Sequence, residues 1–503
     1  MTLNVFLLLI LIIKHSSIKL IKIKNDGLTC LFNLKYKNIY FILLLIKGEI
    51  CYNIKKMDGN MKINEKFNVL CVDLTHDGLG VCKIDNFSIF VKYLLPNEEA
   101  LIKITKINKS FGFGEIINIY KESVNRIEPI CKHYYECGGC DLLHVNYKYQ
   151  LEFKKKMAEE SFKRLGNLDL KVDNIYGMNE PLFYRNKVQV FFDMNDKLIS
   201  GFYQSKTHKV FSLEECFIQT DTASMIVKDF TRLANKYNLT SYDETLKKGI
   251  LRSMLIRSNS ACEYIIVIIV RHDIEVALKN IAEELKRLYP NIIQFIMNLN
   301  YKETNTILGK KDKIIFYNKM LYEVVNNIKY VIDYKSFFQI NYVQMVKLFN
   351  KVKDYITIYD KTVVDGYCGV GAISLQVANK VNKVFGIEIV EEAITNANLN
   401  KEINNIKNVD FILGKTEQQL KAIKNIDCII VDPPRKGLDI ELVNSIVDKK
   451  INKIIYVSCN VATLARDLAV FNKNYNIIEV NAFDLFPHTK GLEMCCLLTL
   501  KNE

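Results

Sequence analysis

The chain has 503 residues, with 69 Lys and Arg against 56 Asp and Glu for a formal charge of +13, and 49% hydrophobic residues. That length excludes a single ordinary domain, and the apolar fraction suffices for several cores, so two to four domains are expected. The basic excess fits a polyanionic partner such as RNA, although lysine usage in an Ile-, Asn- and Lys-rich chain accounts for it equally well.

Residues 1–60 carry an unbroken apolar run, Val5 to Ile13, and a near-continuous one, Ile39 to Ile46. Both are shorter than the ~20 residues of a membrane span. The expectation is a non-native upstream extension with Met61 as the true start, a membrane-associated leader being the alternative. Residues 61–122 read as a small all-β unit. Strand-like runs at Asn68–Leu74, Phe87–Val91, Ala100–Ile107 and Gly114–Tyr120 are broken by turn signals such as Asp77-Gly78-Leu79-Gly80. This spacing predicts an oligonucleotide-binding type of barrel, with Lys103, Lys106, Lys109, Phe111 and Phe113 as basic and stacking groups. Residues 123–335 form a middle α/β region: a cysteine cluster, a helix near Tyr149–Arg164, a strand Val188–Phe192, paired strands Leu251–Ile256 and Tyr264–Val270, and a helix Ile274–Leu288. Residues 336–503 alternate strands (Thr362–Val364, Lys383–Ile387, Val409–Leu413, Cys428–Val431, Lys453–Val457) with helices (Ala372–Asn379, Glu391–Asn404, Ala462–Asn472). That alternation predicts an α/β, Rossmann-like domain with a mostly parallel sheet.

Ligands of such a sheet bind outside the carboxyl ends of its strands. Asp365-Gly366-Tyr367-Cys368-Gly369-Val370-Gly371 follows one strand and opens a helix, and Glu388 ends the next. The glycines permit close backbone approach, and the acidic residue can accept ribose hydroxyls. The loop lacks the three-glycine spacing for a dinucleotide pyrophosphate, so S-adenosylmethionine fits better than NAD. Asp432-Pro433-Pro434-Arg435 turns the chain at another strand end, because proline continues neither a ladder nor a helix interior. Tyr456-Val457-Ser458-Cys459-Asn460 puts a thiol at a third. A thiolate adding to carbon 6 of a pyrimidine makes carbon 5 nucleophilic, and a base must then remove the carbon-5 hydrogen. Glu493 is the expected base, with His488 as the second candidate.

Fourteen cysteines are irregularly spread. Cys71, Cys82, Cys428, Cys495 and Cys496 lie in apolar runs and read as buried thiols rather than a disulfide framework. Cys131, Cys137 and Cys140, joined by Gly138 and Gly139, differ: they suit a metal, with Cys216 as the fourth ligand. Their spacing permits zinc or an iron–sulfur cluster.

Taken together, Asp365-x-Tyr367-Cys368-Gly369-x-Gly371, Asp432-Pro433-Pro434-Arg435, Val457-Ser458-Cys459-Asn460-x-x-Thr463-x-x-Arg466-Asp467 and Phe486-Pro487-His488-Thr489-x-x-x-Glu493 resemble the RNA uracil-5-methyltransferases over about residues 61–503. The resemblance implies Cys459 as nucleophile and Glu493 as base. It implies contacts to S-adenosylmethionine or the base from Gln339 (in Phe338-Gln339-x-Asn341), Tyr367, Glu388 and Asp432. It also implies an amino-terminal TRAM domain. Ala372 and Lys415 stand where some relatives have asparagine near the cofactor, and those contacts are not carried over. The ribosomal-RNA branch of the family carries the cysteine arrangement, so the resemblance implies a [4Fe–4S] cluster on Cys131, Cys137, Cys140 and Cys216. The expected enzyme is cytoplasmic and forms 5-methyluridine in 23S ribosomal RNA. A tRNA uridine methyltransferase and a non-catalytic RNA-binding protein are the alternatives.

Overall fold

The computed structural model describes residues 61–502, apart from 206 and 303–305, and the backbone of three strands, Ile21–Asn25, Leu28–Lys35 and Asn38–Leu44. The expected upstream extension and its membrane alternative lie outside the residues whose side chains are described. Among the described residues, no helix is long and apolar enough to cross a membrane. The chain divides into two compact units, residues 1–124 and 125–503.

In the first unit, Lys66–Leu74, Gly80–Ile84, Phe87–Val91, Glu99–Ile107 and Phe111–Lys121 close a five-stranded barrel. Alternation sends Val69, Cys71, Ile102 and Ile104 inward with Cys82, Ile89 and Val91, and leaves Leu70 and Val72 on the outside. The rings of Phe90, Phe111 and Phe113 form an outer cluster with centroids 5.4–5.9 Å apart. Lys103, expected among the basic groups of this face, is ion-paired with Glu115, its cross-strand neighbour in the ladder.

The second unit contains a seven-stranded sheet, ordered Val210–Ser212, Leu198–Tyr203, Lys187–Met194, Leu251–Ser258, Tyr264–Val270, Ile292–Leu299, Lys311–Tyr317. Only Tyr264–Val270 and Ile292–Leu299 run parallel. The helices Asp221–Lys236 and Glu275–Leu288 cover it with i, i+3, i+4 apolar stripes such as Ala223, Ile226, Val227 and Phe230.

The second sheet has eight strands, ordered Val409–Leu413, Lys383–Glu388, Thr362–Gly366, Cys428–Val431, Lys453–Ser458, Glu493–Leu500, Tyr475–Phe483, Asn174–Tyr176. The first five are parallel, while Glu493–Leu500 runs antiparallel to both its neighbours. The strand order reverses direction beside Thr362–Gly366, a topological switch point. Two elements from the expected middle region belong to this layer. Asn174–Tyr176 pairs parallel with Tyr475–Phe483, and the helix Tyr147–Gly166 packs on the helix Val461–Phe471. Periodicity shows that a segment has an apolar face but not what covers that face.

Candidate active site

The antiparallel strand brings the reactive groups together. Ser458 pairs with Met494, and Phe483 pairs with Glu493. Cys459, the residue after Ser458, therefore emerges opposite Glu493, the residue before Met494, at the carboxyl edge of the parallel strands. Val431 pairs with Tyr456, so Asp432 emerges at the same edge one strand away.

The motif residues around Cys459 explain each other. Asn460 caps its helix by accepting from the Ala462 amide (3.0 Å) and donates Nδ2 to the Arg435 carbonyl (2.9 Å). Arg466 donates to the carbonyls of Lys436 and Leu438, each at 3.2 Å. Asp467 accepts from the Leu438 amide at 2.9 Å and the Tyr456 hydroxyl at 2.6 Å. These bonds lock the turn after Asp432 to the loop that presents Cys459.

The edge is acidic, with Asp365 and Glu493 buried and Asp432 and Cys459 half-buried. Burial pushes Asp365 up to about 7, against a hydrogen bond from the Ser374 hydroxyl at 2.5 Å. Burial, and then the charge of Asp365, pushes Asp432 up to about 7. Glu493 is raised well above the carboxylate range, first by burial and then by Asp432. The half-buried Cys459 thiol is pushed up to about 11 by burial, Glu493 and Asp432, with Arg435 opposing. A cation brought to this edge would favour the ionised form of all four groups.

The glycine loop supplies the neighbouring cradle. Tyr367, Gly369 and Gly371 all adopt left-handed backbone, with φ of +64°, +54° and +76°. At Gly371 any Cβ would also run into the Phe411 ring. Glu388 accepts from the amides of Gly369 (3.1 Å), Ile389 (2.8 Å) and Val390 (2.9 Å), so it holds the loop shut as well as facing the edge. Buried Asn400 accepts from the Val331 amide and donates to the Val370 carbonyl, which fastens the loop's far side.

Gln339 lies on a loop beside this cradle. Arg257 donates to the Phe338 carbonyl and Asn186 to the Gln339 carbonyl, each at 3.1 Å. The Phe338 ring packs on Tyr330 (5.7 Å), whose hydroxyl donates to the carbonyl of Ala372 at the loop's exit. His488, the second candidate base, is buried, is lowered by burial to about 4, and is engaged by the helix Tyr147–Gly166 through Gln150.

Sequence reasoning missed the polar network under this region. Lys154 and Asp484, both without exposed side-chain surface, pair at 2.6 Å, and Tyr147 donates to the other Asp484 oxygen at 2.8 Å. Lys154 sits in a charged helical stretch that reads as a solvated face, so nothing local marks its burial.

Cys131, Cys137, Cys140 and Cys216 line one pocket of about 360 Å³, together with Leu143 and Phe202. The Cys140 thiol is raised by burial and then by Cys216, Cys137 and Cys131, and Cys216 is raised by burial to about 11. Among the described residues, no three His, Cys, Asp or Glu side chains are grouped closely enough to hold one metal ion, so the expected cluster on these four cysteines is not shown.

The tRNA (uracil-5-)-methyltransferase family model matches residues 146–501, and the TRAM domain model matches residues 61–117. An RNA methyltransferase of Bacillus cereus is 40% identical over 455 residues, covering 89% of this chain and 99% of the relative. One from Clostridium tetani is 38% identical over 457 residues, covering 89% and 99%. The crystal structure of Pyrococcus abyssi tRNA (uracil-54, C5)-methyltransferase in complex with S-adenosyl-L-homocysteine superposes with a TM-score of 0.72 at 25% identity, over 86% of this chain and 100% of that one. The barrel, the switch-point edge and these matches lead to one conclusion: the chain is an RNA methyltransferase of the tRNA (uracil-5-)-methyltransferase family, with an amino-terminal TRAM domain.

Proposed function

We propose that the protein methylates carbon 5 of a uridine in 23S ribosomal RNA, with S-adenosylmethionine as the methyl donor. The observation that carries this reading is the register that sets Cys459 across from Glu493 at an acidic sheet edge. The Cys459 sulfur adds to carbon 6, and carbon 5 becomes the nucleophile. S-adenosylmethionine, when bound, supplies the methyl group. Glu493 then takes the carbon-5 proton, the carbon 5–carbon 6 double bond re-forms, and the sulfur leaves. Gln339, Tyr367, Glu388 and Asp432 hold the donor and the base. The left-handed glycine loop and three neighbouring carboxyls, two of them buried, suit a nucleoside that carries a cationic sulfonium. The target uridine has to leave its stack to reach Cys459.

In this reading Cys131, Cys137, Cys140 and Cys216 hold a [4Fe–4S] cluster. Four cysteines lining one pocket match in number the four thiolate ligands of such a cluster. The methyl transfer needs no electron, so the cluster takes no part in the bond-making and bond-breaking steps. The choice of ribosomal RNA rests on this cysteine arrangement, which the resemblance links to the ribosomal-RNA branch of the family, and the choice of the cytoplasm on the intracellular-enzyme motifs and the irregularly spread thiols. The alternative substrate, tRNA, is favoured by the solved relative, which acts on tRNA.

The test is methyl-labelled cofactor incubated separately with 23S ribosomal RNA and with tRNA. Label in the ribosomal RNA alone is expected, and label in tRNA alone would replace the first reading by the second. Cys459→Ala should abolish both methylation and covalent RNA trapping. Full activity of that variant would end the covalent mechanism.

A further inference from the structure

The loop that precedes Glu493 is held by the segment that carries the cysteines. His488 is not glycine, yet its φ is +64°. A side chain in that region persists only where its surroundings over-determine it, and such positions gather at functional sites. Here the surroundings are visible. The His488 carbonyl accepts from the amides of Asp141 and Leu142, each at 2.9 Å, and its amide donates to Gln150 Oε1 at 3.0 Å. Gln150 has no exposed surface. Its Nε2 donates to the carbonyls of Leu142 (3.0 Å) and Val145 (2.8 Å) and lies 3.1 Å from His488 Nδ1. Two residues on, the Lys490 amide donates to Asp141 Oδ2 at 3.1 Å.

One buried amide therefore clamps two loops, and Asp141 directly follows Cys140. The clamped loop is closed by the Phe483–Glu493 pair, so its path fixes how Glu493 enters the sheet.

We propose that Gln150 and Asp141 are positioning residues for the proton-removal step: they transmit the conformation of the cysteine loop to Glu493, so that the state of the cysteine pocket governs release of the methylated RNA rather than methyl addition. This rests on the assignment of Glu493 as base. In the step concerned, the carbon-5 hydrogen passes to the Glu493 carboxylate, its electron pair forms the carbon 5–carbon 6 double bond, and the carbon 6–sulfur bond breaks to return the Cys459 thiolate. A misplaced Glu493 leaves the methylated adduct intact.

The experiment uses the full-length protein, methyl-labelled S-adenosylmethionine, and whichever of 23S ribosomal RNA or tRNA accepts label. Single turnovers are resolved into RNA covalently bound to protein and RNA released. Gln150→Met and Asp141→Ala should raise the bound, methylated fraction about tenfold, while methyl addition slows by less than about threefold. Asp141→Asn keeps an acceptor for Lys490 and should restore normal release. Cys140→Ser should mimic Asp141→Ala. Hydrogen exchange supplies a readout independent of turnover: the amides of Thr489 to Leu492 should exchange faster in Asp141→Ala, with the edge at Gly369 to Gly371 unchanged. Glu493→Gln is the control and should accumulate the same adduct. If it does and the Gln150 and Asp141 variants do not, the coupling is wrong. If addition and release fall together in those variants, the residues are merely structural and the proposal fails. If Glu493→Gln releases RNA at the normal rate, the base assignment itself fails.

Discussion

Asp365 and Glu493 are buried and Asp432 half-buried at one sheet edge, and Asp432 is raised partly by Asp365 and Glu493 partly by Asp432. Their shifts have a sign that can be measured. Asp365 and Asp432 are raised from 3.8 to about 7 in the folded chain, so the fold holds protons that the unfolded chain has lost. Their contribution to stability is complete below the unfolded value and is lost as the pH rises through about 7. The cofactor-free protein should therefore melt at a lower temperature near about pH 8 than near about pH 5. A sulfonium cation bound at this edge lowers the same carboxyl values, so binding S-adenosylmethionine near neutrality should release about one proton. Calorimetric titrations in two buffers of different ionisation enthalpy measure that number. Proton uptake, or none at all, would mean that the donor's charge does not sit against these carboxyls.

At the scale of elements, the glycine loop shows why only part of the site could be read from the chain. Tyr367, Gly369 and Gly371 turn left-handed so that a strand can feed a helix within a few residues, and Phe411 closes the space where a side chain would go at Gly371. Gly371→Ala should cost about 1–3 kcal/mol through backbone strain and overlap, and should weaken cofactor affinity at least about tenfold. Thermal melting and calorimetric titration read the two effects, and an unchanged affinity would remove the loop from the cofactor site. The loop was legible because such turns have a short-range signature. So were the buried strands: Val409–Leu413, Cys428–Val431 and Tyr264–Val270 have the bounds that their apolar runs predict. Asn174–Tyr176 was not legible, since three residues carry no period and its partner lies three hundred residues away in the sheet. Gln150, Lys154 and Asp484 were hidden for the opposite reason. Their residue types belong to helix surfaces and loops, and only the packing of Tyr147–Gly166 against the end of the chain buries them.

For the whole molecule, the division at residue 124 separates two physical tasks. The sheet edge and its carboxyls belong entirely to residues 125–503, where a small nucleoside donor and one base are enough to occupy it. The five-stranded barrel offers something else: exposed Lys106 and Lys109 near the Phe90, Phe111 and Phe113 rings, which suit phosphates and unstacked bases in a longer stretch of RNA. Phosphate contacts release counterions, so each one steepens the fall of affinity with salt by about 0.7 in log–log slope for a single strand. A chain trimmed to residues 125–503 should therefore keep its affinity for S-adenosylmethionine within about twofold, bind RNA more weakly, and show a salt slope shallower by about 1–2, the number of phosphates that Lys106 and Lys109 can neutralise. Double replacement of those lysines by Gln in the full chain should reproduce most of the change in slope, whereas replacing Phe111 and Phe113 by Leu should weaken binding with the slope intact, because stacking releases no ions. Fluorescence anisotropy with labelled RNA across a salt series separates the two. An unaltered slope in the trimmed chain would place the electrostatic grip on RNA in residues 125–503 and leave the barrel without a measurable share of it.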